Sequence, residues 1–288
     1  MQVLQALANG FVEGAILALV ALGLTLVFGI ARFPNAAHGD YLAVGAYGTF
    51  IGVHFLGLPV PLAAIGGIAL TVAVGLACYR FVFRKLAPRH SAISLIASIG
   101  IALFVRHAII FFAGTDQYTY QLPVLRAWRI GGIKIFPMDV VYTGLSLLTI
   151  AGVHLLLRCT DIGRRMRAVS DSPRLARVRG VHVGRVHAAM WVLSLSLAAL
   201  AGILLASRTV VHPYVGWDIL LPAFAAAILG GFGSPVGAIL GGIVIGISQE
   251  LAVLFISETY KVSFSFAVIS IVLLARPWGI LGRKEMVR

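Results

Sequence analysis

The chain has 288 residues, 60% of them hydrophobic and only 11% charged, with a mean hydropathy of +0.98. Soluble domains average about 45–50% apolar and about 25% charged residues, so this composition excludes an ordinary soluble domain and predicts an all-α polytopic membrane protein. The net charge of +13 does not require a nucleic acid partner, because the positive-inside bias alone makes membrane proteins basic.

From the N-terminus, MQVLQALANGFVEGAIL carries neither a basic leader region nor a small-residue cleavage site. The first apolar stretch is therefore expected to stay in the chain as a helix. A crossing needs about 20 apolar residues. Candidate spans follow in order at Leu7–Ile30, Tyr41–Leu56, Pro61–Phe83, Ala92–Ala113, Val140–Leu157, Ala188–Ser207, Ile219–Leu229, Val236–Ile256 and Val262–Ala275. Those at 41, 219 and 262 are short. The expectation is about nine transmembrane helices, within a range of eight to ten, in one transmembrane domain over 1–288. Two polar, Gly- and Pro-bearing interruptions, RFPNAAHGDY and GGFGSP, predict broken helices near 31–40 and 230–235. Irregular backbone at membrane depth is tolerated where protein or water satisfies it, and in transporters such breaks often line the route. Asn35, His38, Gly39, Gly230, Gly231 and Gly233 are the candidates this places on a translocation path.

Orientation follows from Lys and Arg. Seventeen of the 23 basic residues fall on one side of a nine-span arrangement: Arg32, the cluster Arg80, Arg84, Lys85 and Arg89, eight arginines from Arg158 to Arg185, and Arg276, Arg283, Lys284 and Arg288. That side is the cytoplasm, with the N-terminus outside and the C-terminus inside. Arg106, Arg126, Arg129, Lys134, Arg208 and Lys261 fall in outer loops or near outer helix ends. The longest external element, 114–139, contains RIGGIKIF, whose Gly-Gly turn between alternating apolar residues predicts a small hairpin capping the outer surface. Cys78 and Cys159 lie beside basic residues at cytoplasmic helix ends and read as unpaired thiols.

Small residues recur every four positions at Gly10–Gly14–Ala18, Gly48–Gly52, Gly233–Gly237–Gly241 and Gly242–Gly246. Lipid offers helices no hydrophobic reason to associate, so such rows supply close packing, expected mainly within the chain. Ionisable residues inside or at the ends of spans are Glu13, Arg106, His107, His154 and Glu250. A charge near a helix centre costs about 2.5–3.5 kcal/mol on insertion scales, so each is expected to find water or a partner. Glu250, the deepest, is a further candidate for the conduction path. No phosphate-binding loop, zinc motif or serine-nucleophile elbow is present in the sequence, and neither enzymatic activity, a cofactor nor a metal site is expected.

The basic segment 158–187 divides further. Asp161–Ala168 is expected to continue the preceding span as helix. Ser172 then reads as an N-cap with Pro173 at the first helical position, and a short helix Pro173–Arg179 would end at Gly180. A basic loop held on anionic headgroups would not need a capped helix, so a binding partner is the better expectation.

Asp171-Ser172-Pro173-Arg174-Leu175-Ala176-Arg177-Val178-Arg179-Gly180 resembles the cytoplasmic coupling loop of bacterial ABC importer permeases, its Glu-Ala-Ala-x-x-x-Gly core rendered here as Arg174-Leu175-Ala176 and Gly180. Ile162-Gly163-Arg164-Arg165-Met166-Arg167-Ala168-Val169 is similar to the approach to that loop in branched-chain amino acid permeases. So are ALGLTLVFG (21–29) with Asn35-Ala36-Ala37-His38-Gly39-Asp40, and ILGGFGSPVGA (228–238). These motifs run the length of the chain in the family's order, and the short N-terminus looks like the smaller, H-type permease of the pair. The resemblance implies a permease subunit of an importer of branched-chain or related amino acids in the bacterial inner membrane. Its expected partners are a second, M-type permease in a heterodimer, two cytoplasmic ATPases, a periplasmic binding protein and membrane lipid. Ser172, Pro173, Arg174, Leu175, Ala176 and Gly180 would couple to the ATPase. Arg174 replaces the usual acidic residue, and Glu13 lies where small or neutral residues are common. Members of the subfamily also carry urea and short amides. An ion-coupled secondary transporter is the competing class, which would use Glu250 but leave the capped basic helix unexplained.

Overall fold

A computed structural model describes residues 1–86, 90–123, 125–130, 132–276 and 278–282. Arg89, Arg283, Lys284 and Arg288, counted above among the cytoplasmic charges, lie outside the described residues.

In chain order the helices are α1 (Gln2–Ala31), α2 (His38–His54), α3 (Val60–Cys78), a π-helical turn (Tyr79–Phe83) running into the short α4 (Arg84–Leu86), and α5 (Ser91–Ala113). A two-stranded antiparallel hairpin follows, β1 (Trp128–Ile130) against β2 (Ile133–Ile135), with Arg129 opposite Lys134. Then come α6 (Pro137–Cys159), α7 (Asp161–Asp171), α8 (Pro173–Val178), α9 (Val183–Arg208), α10 (Val215–Gly230), α11 (Pro235–Phe255), a 3-10 turn (Glu258–Tyr260) and α12 (Lys261–Ala275).

Every apolar stretch picked from the sequence is helical, and the Gly-Gly hairpin forms where expected. Six helices among the described residues are long and apolar enough to cross a membrane: Gln2–Ala31, Val60–Leu86, Ser91–Ala113, Pro137–Cys159, Val183–Arg208 and Pro235–Phe255. The other three, α2, α10 and α12, have 17, 16 and 15 residues. At 1.5 Å per residue they reach about 23–26 Å, short of the roughly 30 Å hydrocarbon core. The chain is thus a polytopic helical membrane protein, whose described residues hold six helices of spanning length and three shorter apolar ones.

One local expectation is corrected, and one feature was not expected at all. The helix at 161–168 does not continue from α6: Thr160 leaves the helical region (φ −103°, ψ 161°) and its Oγ accepts from the Gly163 amide at 3.2 Å, so α7 is a fresh, capped start. A threonine three residues before a glycine makes that N-cap available, and a hydroxyl cap satisfies a donor that a continuous helix would not have exposed. The third span also ends in a π-helical turn, where the wider helix brings Phe83 onto Trp191 with ring centroids 5.0 Å apart and onto Phe33 at 5.3 Å. Single π-helical turns inside α-helices are frequent at functional sites.

The chain divides into two compact units. One comprises Met1–Thr25, Leu122–Ile150 and Ile219–Arg288, the other Leu26–Gln121 and Ala151–Asp218. In the first, α1 and α11 pack antiparallel through their small-residue rows. An added Cβ would lie 2.7 Å from the Ile247 Cα at Gly10, 2.8 Å from the Ile243 Cα at Gly14, and 2.5 Å from the Ala18 Cα at Gly242. In the second, α2 is wrapped on all sides, and 13 of its 17 residues are buried. It closes on α3 at Gly48 and Gly52 and on α9 at Gly45, where a Cβ would lie 2.7 Å from the Ala199 Cα. The glycine rows therefore serve packing within the chain, as close backbone approach in lipid demands.

Candidate functional site

The segment from Thr160 to Arg185 is a sequence of caps. After α7, Ser172 turns extended (φ −155°, ψ 105°), its Oγ accepts from the Leu175 amide at 3.4 Å, and Pro173 opens α8. The helix closes where Gly180 takes φ +81°, with the Gly180 amide donating to the Arg177 carbonyl and the Val181 amide to the Ala176 carbonyl, both at 3.0 Å. Only a residue without a Cβ adopts that left-handed position freely. Ala176 is buried and anchors the helix. Leu175 and Val178 stand 68% and 85% exposed beside the exposed Arg174, Arg177 and Arg179. The six-residue helix thus leaves two large aliphatics in the open with three arginines around them.

α7, which leads into α8, is tied to the end of α1. The Ser170 hydroxyl donates to the Gly29 carbonyl at 2.8 Å, and the Arg32 guanidinium donates to the Ser170 carbonyl at 2.6 Å. Arg32 itself sits at φ +60°, a strained position for a residue with a side chain. The end of α7 is thereby bolted to the last turn of α1, at the start of the 31–40 break.

That break is irregular backbone from 32 to 37, and half of it is buried. Asn35 is 1% exposed and His38 fully buried. The Asn35 Oδ1 accepts from the Ala37 amide at 3.2 Å, while the Ala36 amide donates to Ser98 Oγ of α5 at 3.0 Å. Asn35 Nδ2 has no hydrogen-bond partner among the described residues. Gly39 lies so close to Gly216 at the start of α10 that no side chain fits between them. One turn further, Asp40 meets Arg106 of α5: Nε donates to Oδ1 at 2.9 Å and Nη2 to Oδ2 at 3.1 Å, with the side chains 1% and 7% exposed. The guanidinium also lies over Trp217, 4.6 Å from the ring centroid, and over Tyr214 at 5.6 Å. Asp40 and Arg106 were not paired by the sequence reading. Two opposite charges in separate apolar stretches are the signal that could have joined them.

In the other unit, Gly230, Gly231 and Gly233 form a tight turn. Gly231 and Gly233 have φ +95° and +85°, Gly230 packs on the backbone of Gly237, and Ser234 Oγ caps α11 by accepting from the Gly237 amide at 3.2 Å. The chain at 280–281 covers the end of α10, the Ile280 amide donating to the Leu229 carbonyl at 2.8 Å. Glu250 is not grouped with these glycines in a shared set of contacts. It accepts from Lys261 Nζ at 2.9 Å, and the same ammonium donates to Glu13 at 2.7 Å. Two carboxylates thus share one lysine between α1, α11 and α12. Beside them, Gln249 Nε2 donates to Ser265 Oγ at 2.8 Å. The expected partners of Glu13, Glu250 and Arg106 are thereby identified. Lys261, placed from the sequence only in an outer loop or near an outer helix end, is the member of this cluster that the sequence did not single out.

Apolar helices long enough to cross a bilayer, buried ion pairs and an exposed, capped basic segment are the features of a polytopic membrane protein. Residues 6–273 match the family of permease components of branched-chain amino acid transport systems, and the chain belongs to that family. It is 32% identical to the high-affinity branched-chain amino acid transport system permease protein LivH of Salmonella typhimurium, covering 98% of this chain and 96% of that protein. It is 31% identical to the permease BraD of Pseudomonas aeruginosa, over 98% and 97% of the two chains. A probable LivH of Methanocaldococcus jannaschii is 32% identical over 94% of this chain and 91% of its own. The chain is accordingly a transport permease component, multi-pass in the inner membrane.

Proposed function

We propose that this chain is the H-type permease subunit of an ATP-binding-cassette importer, forming with an M-type partner the path for branched-chain or related amino acids. Two cytoplasmic ATPases drive it and a periplasmic binding protein supplies the ligand. The N-terminus and the 114–139 hairpin loop face the periplasm, and 158–187 and the C-terminus face the cytoplasm. The observation that carries this reading is α8, short, capped at both ends and exposing Leu175 and Val178. Family membership supports the transport role and the amino acid substrate.

ATPase closure would push on Ser172–Gly180. Through Ser170, that displacement reaches Gly29 and Arg32 and so the break carrying Asn35, His38 and Gly39, which we place on the translocation path with the 230–233 turn. A contact made differently in two states of the ATPase is what biases a two-state bundle. Glu250 is engaged with Lys261, which favours a structural charge cluster over a carrier carboxylate and leaves the ion-coupled alternative without its main residue. The test is uptake of labelled leucine, isoleucine and valine into vesicles holding the chain with the products of its neighbouring genes. Uptake is expected only with ATP inside and binding protein outside. Uptake without ATP would defeat the reading.

A further inference from the structure

The elbow has a second face. Arg80 and Arg84, from the π-helical turn and α4, and Arg177 and Arg185, from α8 and the first turn of α9, line a single cavity of about 770 Å³. No acidic residue lines it, and among the described residues no ion pair is formed by these four guanidiniums. Each presents a fork of donors suited to a phosphate. The cavity also takes in Val183, Gly184 and Arg185, the opening residues of the 26-residue α9, whose amides and helix dipole add to the same field. Leu76, Val181 and Ala188 add apolar lining, beside Tyr79 and His182.

We infer that this cavity is a binding site for the phosphate headgroup of an anionic phospholipid of the inner leaflet. Four like charges facing one space repel one another until an anion enters. A phosphate alone would satisfy the arginine rim, but only an amphiphile also covers Leu76, Val181 and Ala188. Basic pockets between spanning helices on the cytoplasmic side suit such headgroups. The bound lipid would tie the α3 end to the α8–α9 junction and so steady the coupling helix. The inference rests on the inward orientation of 158–187 proposed above.

The test uses the full chain purified with the subunits that accompany it, scoring retained phospholipid by native mass spectrometry and by exchange against nanodiscs of phosphatidylglycerol or of phosphatidylcholine. Phosphatidylglycerol is expected to be retained and phosphatidylcholine not. R80Q/R84Q, and separately R185Q, should weaken retention by about five-fold for each arginine removed. R126Q/R129Q, an equal charge loss elsewhere, should retain it. Equal retention by wild type and R80Q/R84Q would overturn the site. Displacement of the lipid by millimolar inorganic phosphate would reassign it to a free anion and overturn the lipid source. Loss of ATPase association in R80Q/R84Q with lipid retained would assign the cavity to the protein interface and overturn it too. Failure of the wild type to bring down any ATPase would instead count against the importer reading and leave the lipid result to stand separately.

Discussion

Arg106 and Asp40 grip each other by two hydrogen bonds, 2.9 and 3.1 Å, at the start of α2 and two-thirds of the way along α5, and their side chains are 7% and 1% exposed. Removing one partner strands the other charge among apolar side chains, at about 3–5 kcal/mol. Arg106→Gln and Asp40→Asn are therefore each expected to lower thermal stability in detergent sharply. The double variant should recover much of the loss, a coupling of about 0.5–3 kcal/mol in a double-mutant cycle. Additive losses would show that the two charges do not depend on each other.

The second buried cluster makes a different forecast because its charges are unbalanced. With two carboxylates on Lys261, neutralising either one leaves a matched pair. Glu13→Gln or Glu250→Gln should be mild, within about 1 kcal/mol, whereas Lys261→Met leaves two carboxylates facing each other and should cost several times more. Combining Lys261→Met with both glutamines should restore stability. Melting temperatures of the purified variants, ranked in that order, check the arrangement.

Close backbone approach separates glycines that look alike in sequence. A Cβ at Gly202 would enter the Leu42 backbone, while one at Gly152 of α6 meets nothing within 4 Å. Gly202→Ala should destabilise by about 1–3 kcal/mol through overpacking. Gly152→Ala should be neutral or gain up to about 1 kcal/mol from helix propensity. Thermal unfolding of the two variants side by side decides it.

These cases mark what was legible in the sequence. Local chemistry was readable: Ser172, Pro173 and Gly180 placed α8 to within a residue, and Gly-Gly placed the hairpin. Hydrophobic length found every apolar helix. It also marked the stretches at 41, 219 and 262 as short, but could not say whether such a stretch spans, because a helix buried within the protein, as α2 is, reads as equally apolar. The Thr160 restart was lost inside a basic run that looked uniformly helical. Pairs such as Asp40–Arg106 and Glu13–Lys261 are 66 and 248 residues apart, and no local pattern joins them. The packing of α5 on α2, and of α12 near α1, does.

The cap on α8 has its own consequence. Gly180 at φ +81° should tolerate Asn better than Ala or Val, since left-handed backbone costs an ordinary L-residue about 1–2 kcal/mol and Asn less. ATP-dependent uptake is expected to fall in the order Gly, Asn, Ala, Val, with the amount of protein in the membrane unchanged. Equal uptake by the valine variant would mean that the end of α8 is not held in that conformation during transport.

The most direct test of the coupling role lies in two side chains that the fold itself does not need. Leu175 and Val178 are 68% and 85% exposed, so Leu175→Asp/Val178→Asp should insert and melt as the wild type does. Pull-down of the tagged permease, with the bound ATPase quantified, is expected to recover ATPase with the wild type and essentially none with the double variant. Recovery of ATPase at the wild-type ratio from the double variant would contradict the assignment of α8 as the coupling helix.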